Sequence, residues 1–385
     1  MTPEDPRREF LSAMAAALSR YGETADSLES GLQACARTLG VEVAFFTVPT
    51  AVFVAYGHGA AMHTVLLHTR DSAIDLQALS LLDETLLDVT RGRRSAAQGL
   101  AEVRLITAGP PRFAWYMRVL ASGLGAAAIS VFLGGGVREL TAAIPVGLAV
   151  GALAVLARRM ERLTSLVELL AGFLAAVLTL ALGHALPHFH LATVVLAGLI
   201  LLLPGLSITL GVSELAARHL VSGSARLAGA TVSLVSLGLG VAMGYAIFTK
   251  AGWVPPVGPG REIPGQWLTV LAVVASSGAL LVVTNSRPRD IWVVLCAVAV
   301  AVYGARLGAW LLGPTVGVVV ASLNLGLGSN LYARLTSRPA AVPLVPGLAA
   351  LRKNAEMPWK PSAPGTSAAR PGTSGTATGR LVSRA

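Results

Sequence analysis

The polar residues that could do chemistry in this sequence lie inside long apolar segments. Most of them fall in the stretch LLLPGLSITLGVSELAARHLVSGSARLAGA. Pro204 removes a backbone donor and Gly205 adds freedom, so the pair predicts a helix break that leaves carbonyl groups free to face a cavity. Ser207 and Thr209 would supply hydroxyl groups there, and Glu214 a carboxylate. This pattern is typical of a substrate or proton pathway, because a charge inside a membrane is costly.

The same stretch fits a plainer interpretation. Pro204 would simply end a helix, and Glu214 and Arg218, four residues apart, would form an ion pair at the membrane surface. From the residues alone, the two interpretations stay open.

A second set of candidates lies near the C-terminal end of the apolar region. Asn324 and Asn330, in ASLNLGLGSNLYARL, could either join helices through amide hydrogen bonds or line a polar path. Pro346 and Gly347, in PLVPG, repeat the Pro-Gly break found at 204–205. Paired interruptions in two halves of a membrane protein point to a transporter site.

Motifs of known enzymes are missing from the sequence. It contains no Gly-Lys pair and hence no P-loop, and it contains no HExxH, GxSxG or paired CxxC motif. His184, His188 and His190 form the most metal-like group, but no acidic residue accompanies them. We therefore predict neither an enzyme nor a bound cofactor or metal.

Composition indicates a membrane protein. Of the 385 residues, 54% are hydrophobic and 13% are charged, against about 25% charged in ordinary soluble domains. The mean hydropathy is +0.67. The net charge of +10 comes mostly from arginines that flank apolar segments, and no basic patch with interleaved aromatic residues is present. Nucleic acid is therefore not an expected partner.

Residues 8–110 have the pattern of a small soluble α+β domain. Two amphipathic helices come first, and Thr24 is the predicted N-cap of the second, which Gly40 ends. Three runs rich in β-branched and aromatic residues predict an antiparallel sheet: VEVAFFTV, TAVFVAY and HTVLLHT. Helical patterns return from Ser72 and again near 95–106.

From Phe113 onward the apolar segments are long enough to cross a bilayer, which takes about 20 helical residues. About eight spans are predicted, near 114–135, 140–157, 165–186, 191–211, 225–248, 267–284, 290–311 and 314–333. Arginines concentrate on one side of these spans. The positive-inside rule then predicts a protein of the cell membrane whose N-terminal domain and C-terminal tail both lie on the cytoplasmic side.

The predicted fold class is a polytopic all-α membrane bundle with a small α+β cytosolic N-terminal domain. The predicted boundaries are 1–110 for that domain, 113–250 for a first membrane module of about five helices, 264–351 for a second module of about three, and 352–385 for a disordered tail.

At these residues the sequence resembles the threonine/serine exporter family. The stretch YGETADSLESGLQACARTLGVEVAFFTVPT looks like the family's opening domain, and NLYARLTSRPAAVPLVPG is similar to its second membrane module. The family's most recognisable motif is a Pro-Gly, an acidic residue and a Ser-Gly with Arg, which correspond here to Pro204, Gly205, Glu214, Ser222, Gly223 and Arg226. The family usually has Asp where this chain has Glu214.

The resemblance implies proton-driven export of small amino acids such as threonine and serine. Members have about ten spans, so this chain is expected to be shortened at its C-terminus, with the missing spans either lost or supplied by a partner. Some relatives with split modules are linked to dicarboxylate export, which makes a succinate-type exporter subunit one alternative. A membrane sensor or scaffold that does not transport is another. Whether the chain acts alone, as a homo-oligomer or with a partner subunit stays open.

Overall fold

The structure is a computed structural model that describes residues 5–59, 62–69, 75–110, 112–185, 189–253, 265–313, 322–324, 326–328 and 331. Within these residues the hydrophobic side chains form separate cores. One core belongs to residues 10–106, here called the N-terminal layer, and the others belong to the long helices that follow, here called the bundle.

The N-terminal layer has the predicted α+β pattern. Its elements are α1 (Pro6–Arg20), α2 (Ala25–Leu39), β1 (Val43–Val48), β2 (Ala51–Tyr56), β3 (His63–His68), α3 (Leu76–Thr90) and α4 (Ala96–Ala108). The strands form an antiparallel sheet in the order β1-β2-β3. Thr24 caps α2 by accepting from the Ser27 amide, and Gly40 ends it in the left-handed conformation with φ of 68°. Both predicted helix signals are confirmed.

Apolar residues at helical spacing fill the core of this layer. Phe10 and Met14 of α1 and Leu28 and Leu32 of α2 are fully buried. They pack with alternate residues of β2, of which Val52 is buried. Burying each such side chain contributes about 1.5–3 kcal/mol. Together these residues give the layer a hydrophobic core of its own.

The bundle consists of long apolar helices. They are α5 (Trp115–Phe132), α6 (Val137–Ala157), the short α7 (Glu161–Thr164), α8 (Val167–Ala185), α9 (Leu191–Leu199), α10 (Gly205–Ala216), α11 (Leu220–Lys250), α12 (Gln266–Val283) and α13 (Ile291–Leu312). Among the described residues, six helices are long and apolar enough to cross a membrane, and the bent pair formed by Leu191–Leu202 and Gly205–Ala216 makes a seventh if the pair is one broken span. The predicted fold class is confirmed. The eighth predicted span, at 314–333, lies mostly outside the described residues.

Glycines let the helices of the bundle approach closely. A Cβ on Gly147 of α6 would clash with Ala126 of α5, and one on Gly240 of α11 would clash with the carbonyl oxygen of Leu169 on α8. Each glycine has another glycine four residues later, Gly151 and Gly244 respectively. This small-residue spacing is typical of close helix contacts in membranes.

Exposed tryptophans mark the two ends of the bundle. Trp115 begins α5 and Trp292 lies in the first turn of α13, at the end of the bundle that contacts the N-terminal layer, here called the near side. Trp253, Trp267 and Trp310 lie at the opposite end, the far side. Tryptophan favours the membrane–water interface, so these rings are consistent with spans that cross a bilayer.

One junction joins α3 to the residues that follow α12. The Asn285 side-chain amide donates to the Asp75 carboxylate at 3.0 Å. Arg287 pairs with Glu84, also at 3.0 Å. Asn285 has φ of 51°, a left-handed conformation that asparagine tolerates better than most residues. This junction fixes the N-terminal layer on the near side of the bundle.

Candidate functional site

The predicted break is present in the fourth crossing. Helix α9 tightens into a 3₁₀ turn at Ile200–Leu202, and α10 begins at Gly205 after Pro204. The two halves meet at an angle of 59°. Pro204 cannot donate a backbone hydrogen bond, which is why the helix cannot continue straight through this position.

Glu214 is the tenth residue of the second half, and its carboxylate is surrounded by donors. The residue is 1% exposed. The Ser222 hydroxyl donates to Oε2 at 2.6 Å, and Nε of Arg226 lies 3.1 Å from both oxygens. The backbone amide of Ala25, the first residue of α2, donates to Oε1 at 3.1 Å. We call Glu214, Ser222, Arg226 and the Ala25 amide the glutamate latch.

The latch compensates a buried charge. A buried carboxylate without partners would be strongly destabilising, whereas one that is paired and hydrogen-bonded is tolerated. Arg226 supplies the opposite charge, and its Nη2 also donates to the carbonyl oxygen of Glu23 at 3.4 Å. The positive end of the α2 helix dipole points at the same carboxylate. Two segments of the bundle and one helix of the N-terminal layer thus meet at one ion pair.

Close contact between α10 and α11 allows the latch to form. A Cβ on Gly223 would lie 2.8 Å from the carbonyl oxygen of Gly211, so these helices touch through their backbones. The alternative partner, Arg218, lies beyond the end of α10 with φ of 71°. The helix ends before Arg218 can return to the face of Glu214, and the proposed pair of Glu214 with Arg218 is wrong.

The remaining candidates lie apart from the latch. Ser207 and Thr209 are half-buried on α10, roughly 10 and 8 Å before Glu214 along the helix axis. Asn324 is exposed, and within the described part of the chain no hydrogen bond connects it to the latch. Asn330, Pro346 and Gly347 lie outside the described residues, so their role stays a prediction.

A second buried glutamate, not anticipated from the sequence, holds the other end of the broken span. Glu139 is 7% exposed. Its Oε2 accepts from the Gly136 amide at 2.8 Å, and its Oε1 accepts from the His190 amide at 2.9 Å, where α9 begins. The only local signal was an acidic residue in the first turn of α6. Where the structure describes the chain, no group of His, Cys, Asp or Glu could hold a metal ion.

The sequence profile of the family described as "Putative threonine/serine exporter" matches residues 9–248, which is more than half of the chain. This protein belongs to the threonine/serine exporter family. With its apolar helices, membership makes it a multi-pass membrane protein. The latch, the break and Glu139 all lie within the matched residues, whereas Asn324, Asn330, Pro346 and Gly347 lie beyond them.

Relatives of this family member occur in yeasts. An uncharacterized protein of Schizosaccharomyces pombe is 25% identical over 361 residues, which cover 89% of this chain and 42% of the relative. Pheromone-regulated membrane protein 10 of Saccharomyces cerevisiae is 24% identical over 355 residues, covering 89% of this chain and 45% of the relative. The chain thus spans less than half the length of these curated relatives. No solved structure matches it.

Proposed function

We propose that this protein is a secondary transporter that exports small amino acids, threonine and serine in particular, and that proton movement drives the export. The observation that carries the proposal is the buried Glu214, which ties the broken span to both α11 and the N-terminal layer. Family membership supports the transporter class.

The broken span is held at both ends by buried carboxylates. On the far side, Glu139 holds the start of α9, and on the near side, Glu214 holds the end of α10. Between them lies the break at Pro204, where backbone carbonyl groups lack helical donors. Unwound backbone within a membrane span is a common place for substrate to bind in transporters. A span clamped at two ends and broken between them is suited to alternate between two arrangements.

Protonation of Glu214 would act on this clamp. A neutral carboxyl group cannot balance the charge of Arg226, so the buried pair would be weakened and α10 would separate from α11 and α2. Loss of the proton would restore the latch. In this mechanism Glu214 couples proton binding to the arrangement of the broken span, and the N-terminal layer acts as the gate that the latch holds in place.

The distribution of charge supports an orientation in the membrane. The described cationic residues at the near side are Arg112, Arg118, Arg158, Arg159, Arg218, Arg226, Arg287 and Arg289, and those toward the far side are Arg138, Lys250 and Arg306. The positive-inside rule supports a cytoplasmic near side in the cell membrane. The N-terminal layer would then meet substrate before it enters the bundle.

Efflux from proteoliposomes tests the proposal. Vesicles loaded with threonine, serine or succinate are assayed with and without an imposed proton gradient, for the native protein and the Glu214→Gln variant. We expect gradient-dependent efflux of threonine and serine by the native protein, and loss of that gradient dependence in the variant. Glu42→Gln, which changes an exposed carboxylate that contacts His58 within the N-terminal layer, is the matched control.

The results separate the alternatives. Unchanged, gradient-dependent efflux by Glu214→Gln would remove Glu214 from the coupling mechanism. Efflux of succinate without threonine would favour the dicarboxylate exporter, and absence of efflux for every substrate would favour the sensor or scaffold.

A further inference from the structure

A large cavity lies between the N-terminal layer and the near ends of α5 and α6, with a volume of about 1440 Å³. We call it the arginine cavity. Its wall includes six arginines and two acidic residues, namely Arg20, Arg93, Arg94, Arg112, Arg118, Arg158, Asp75 and Glu102. The excess of positive charge would attract anionic groups from the near side.

Several of these arginines have partners. Arg93 and Arg94 both pair with Asp88. Arg112 donates to the Gln77 side chain at 2.8 Å. Their charges or donors are already engaged, so they contribute to the field of the cavity without offering an unoccupied binding group.

Arg118 and Arg158 differ from the others. Nε and Nη2 of Arg118 are buried without any hydrogen-bond partner. Desolvation by the surrounding protein and, second, the charge of Arg118 lower the pKa of Arg158. No ion pair joins either of them to an acidic residue in the described part of the chain. Arg158 as a whole residue is exposed, and it lines the cavity. Two guanidinium groups that repel each other and have no acidic partner among the described residues fit a ligand with an oxyanion.

The same cavity also offers an unused acceptor. Nδ2 of Asn285 donates to Asp75, which turns Oδ1 away from that carboxylate, and this Oδ1 is buried with no partner. Both Asn285 and Asp75 line the cavity. A buried polar atom left unpaired costs about 1–3 kcal/mol. The lining of the cavity thus includes unsatisfied donors on Arg118 and an unsatisfied acceptor on Asn285, whose side chain also contacts the Asp75 carboxylate.

We propose that the arginine cavity is an entry site that binds the zwitterionic head group of the exported amino acid. The ligand's carboxylate contacts Arg118 and Arg158, and its ammonium group donates to Oδ1 of Asn285 beside Asp75. The long arginine side chain can turn its unpaired donors toward the ligand. A dicarboxylate satisfies the arginines but places a second negative charge near Asp75. The inference rests on the proposed export of amino acids and assigns where the substrate first binds.

Equilibrium binding to the full-length protein in phosphatidylcholine nanodiscs tests the site. Radiolabelled threonine is displaced by threonine, threonine amide, N-acetylthreonine, succinate and inorganic phosphate. We expect both threonine derivatives to bind at least about tenfold more weakly than threonine, because each lacks one charged group, which corresponds to about 1.4 kcal/mol or more. Succinate and phosphate are expected to compete weakly.

Variants locate the binding to this cavity. Arg118→Gln, Arg158→Gln and Asn285→Leu are each expected to weaken threonine binding by about tenfold or more. The matched control is Arg104→Gln, at an exposed arginine of α4 that pairs with Glu9 outside the cavity lining, and it is expected to bind as the native protein does. If Arg118→Gln does not fold, Arg118→Lys keeps the charge but loses the planar fork. It is expected to show weaker binding with normal stability.

The outcomes for this site and for transport are separable. Native threonine affinity in the Arg118 and Arg158 variants, in a protein that still exports threonine, overturns the entry site and leaves the proposed function standing. Binding of succinate or phosphate that depends on Arg118, with no binding of threonine, also overturns the zwitterion site. Absence of threonine efflux by the native protein overturns the proposed function itself.

Discussion

Arg226 places its Nε at 3.1 Å from both carboxylate oxygens of Glu214, and the backbone amide of Ala25 donates to the same carboxylate. Ala25 and Glu214 are 189 residues apart in the sequence. The N-terminal layer is therefore attached to the broken span through a charged group. A change in charge at Glu214 alters a contact between two parts of the protein, which is the requirement for a gate.

The latch should contribute measurably to docking of the N-terminal layer. Glu214→Gln and Arg226→Gln each leave a buried partner unsatisfied, and we expect a loss of about 3–5 kcal/mol for each. The double variant should lose less than the sum of the two, because neither charge then lacks its partner. Thermal unfolding in detergent gives the stabilities, and hydrogen exchange of the first turn of α2 reports undocking. Glu42→Gln, at an exposed carboxylate that contacts His58 within the N-terminal layer, serves as control. Additive losses would argue against a direct pair.

Arg218 is expected to behave differently from Arg226. Its φ of 71° is a left-handed conformation in which a Cβ is strained. Arg218→Gly should therefore be neutral or should stabilise the protein by up to about 1 kcal/mol. The same unfolding assay provides the comparison. A loss as large as that of Arg226→Gln would restore Arg218 as the partner of Glu214.

Two glycines of α11 provide a test of the contact with α8. A methyl group at Gly240 would clash with the carbonyl oxygen of Leu169, whereas one at Gly238 would meet nothing within 4 Å. Gly240→Ala is expected to destabilise the bundle by about 1–3 kcal/mol. Gly238→Ala should be neutral or stabilise by up to about 1 kcal/mol, since alanine favours the helix. Equal melting temperatures of the two variants would contradict this packing.

Glu29 predicts a pH dependence of the N-terminal layer. Desolvation raises the pKa of this half-buried carboxyl group above its ordinary value of 4.5, although the Thr47 amide donates to it. At pH values between the unfolded and the folded pKa, the folded state therefore keeps a proton that the unfolded chain has lost. The stabilising contribution of this proton is complete below about pH 4.5 and disappears as the pH rises through the folded pKa. Glu29→Gln should stabilise the layer more at pH 7 than at pH 4. Hydrogen exchange of β1 across this pH range measures the effect.

Signals that depend on a few neighbouring residues predicted much of the fold. The apolar segments, the cap at Thr24, the stop at Gly40, the three strands and the break at Pro204 all follow from local chemistry. Each reflects a residue's own backbone freedom or a period of hydrophobic residues along one element. The family motif likewise singled out Glu214, Ser222 and Arg226 as one set.

Contacts between residues far apart in the chain could not be predicted from such local signals. The spacing of four residues suggested Arg218 as the partner of Glu214, but α10 ends two residues before Arg218. Helices α10 and α11 instead cross at Gly211 and Gly223, and this contact brings Arg226 to Glu214. The amide of Ala25, the bond from Glu139 to the His190 amide and the unpaired donors of Arg118 depend equally on how separate elements pack. The sequence by itself determined which segments are helices, strands and spans, since that information is local. Only the tertiary structure decided which charges meet, because partners far apart in the chain are chosen by packing.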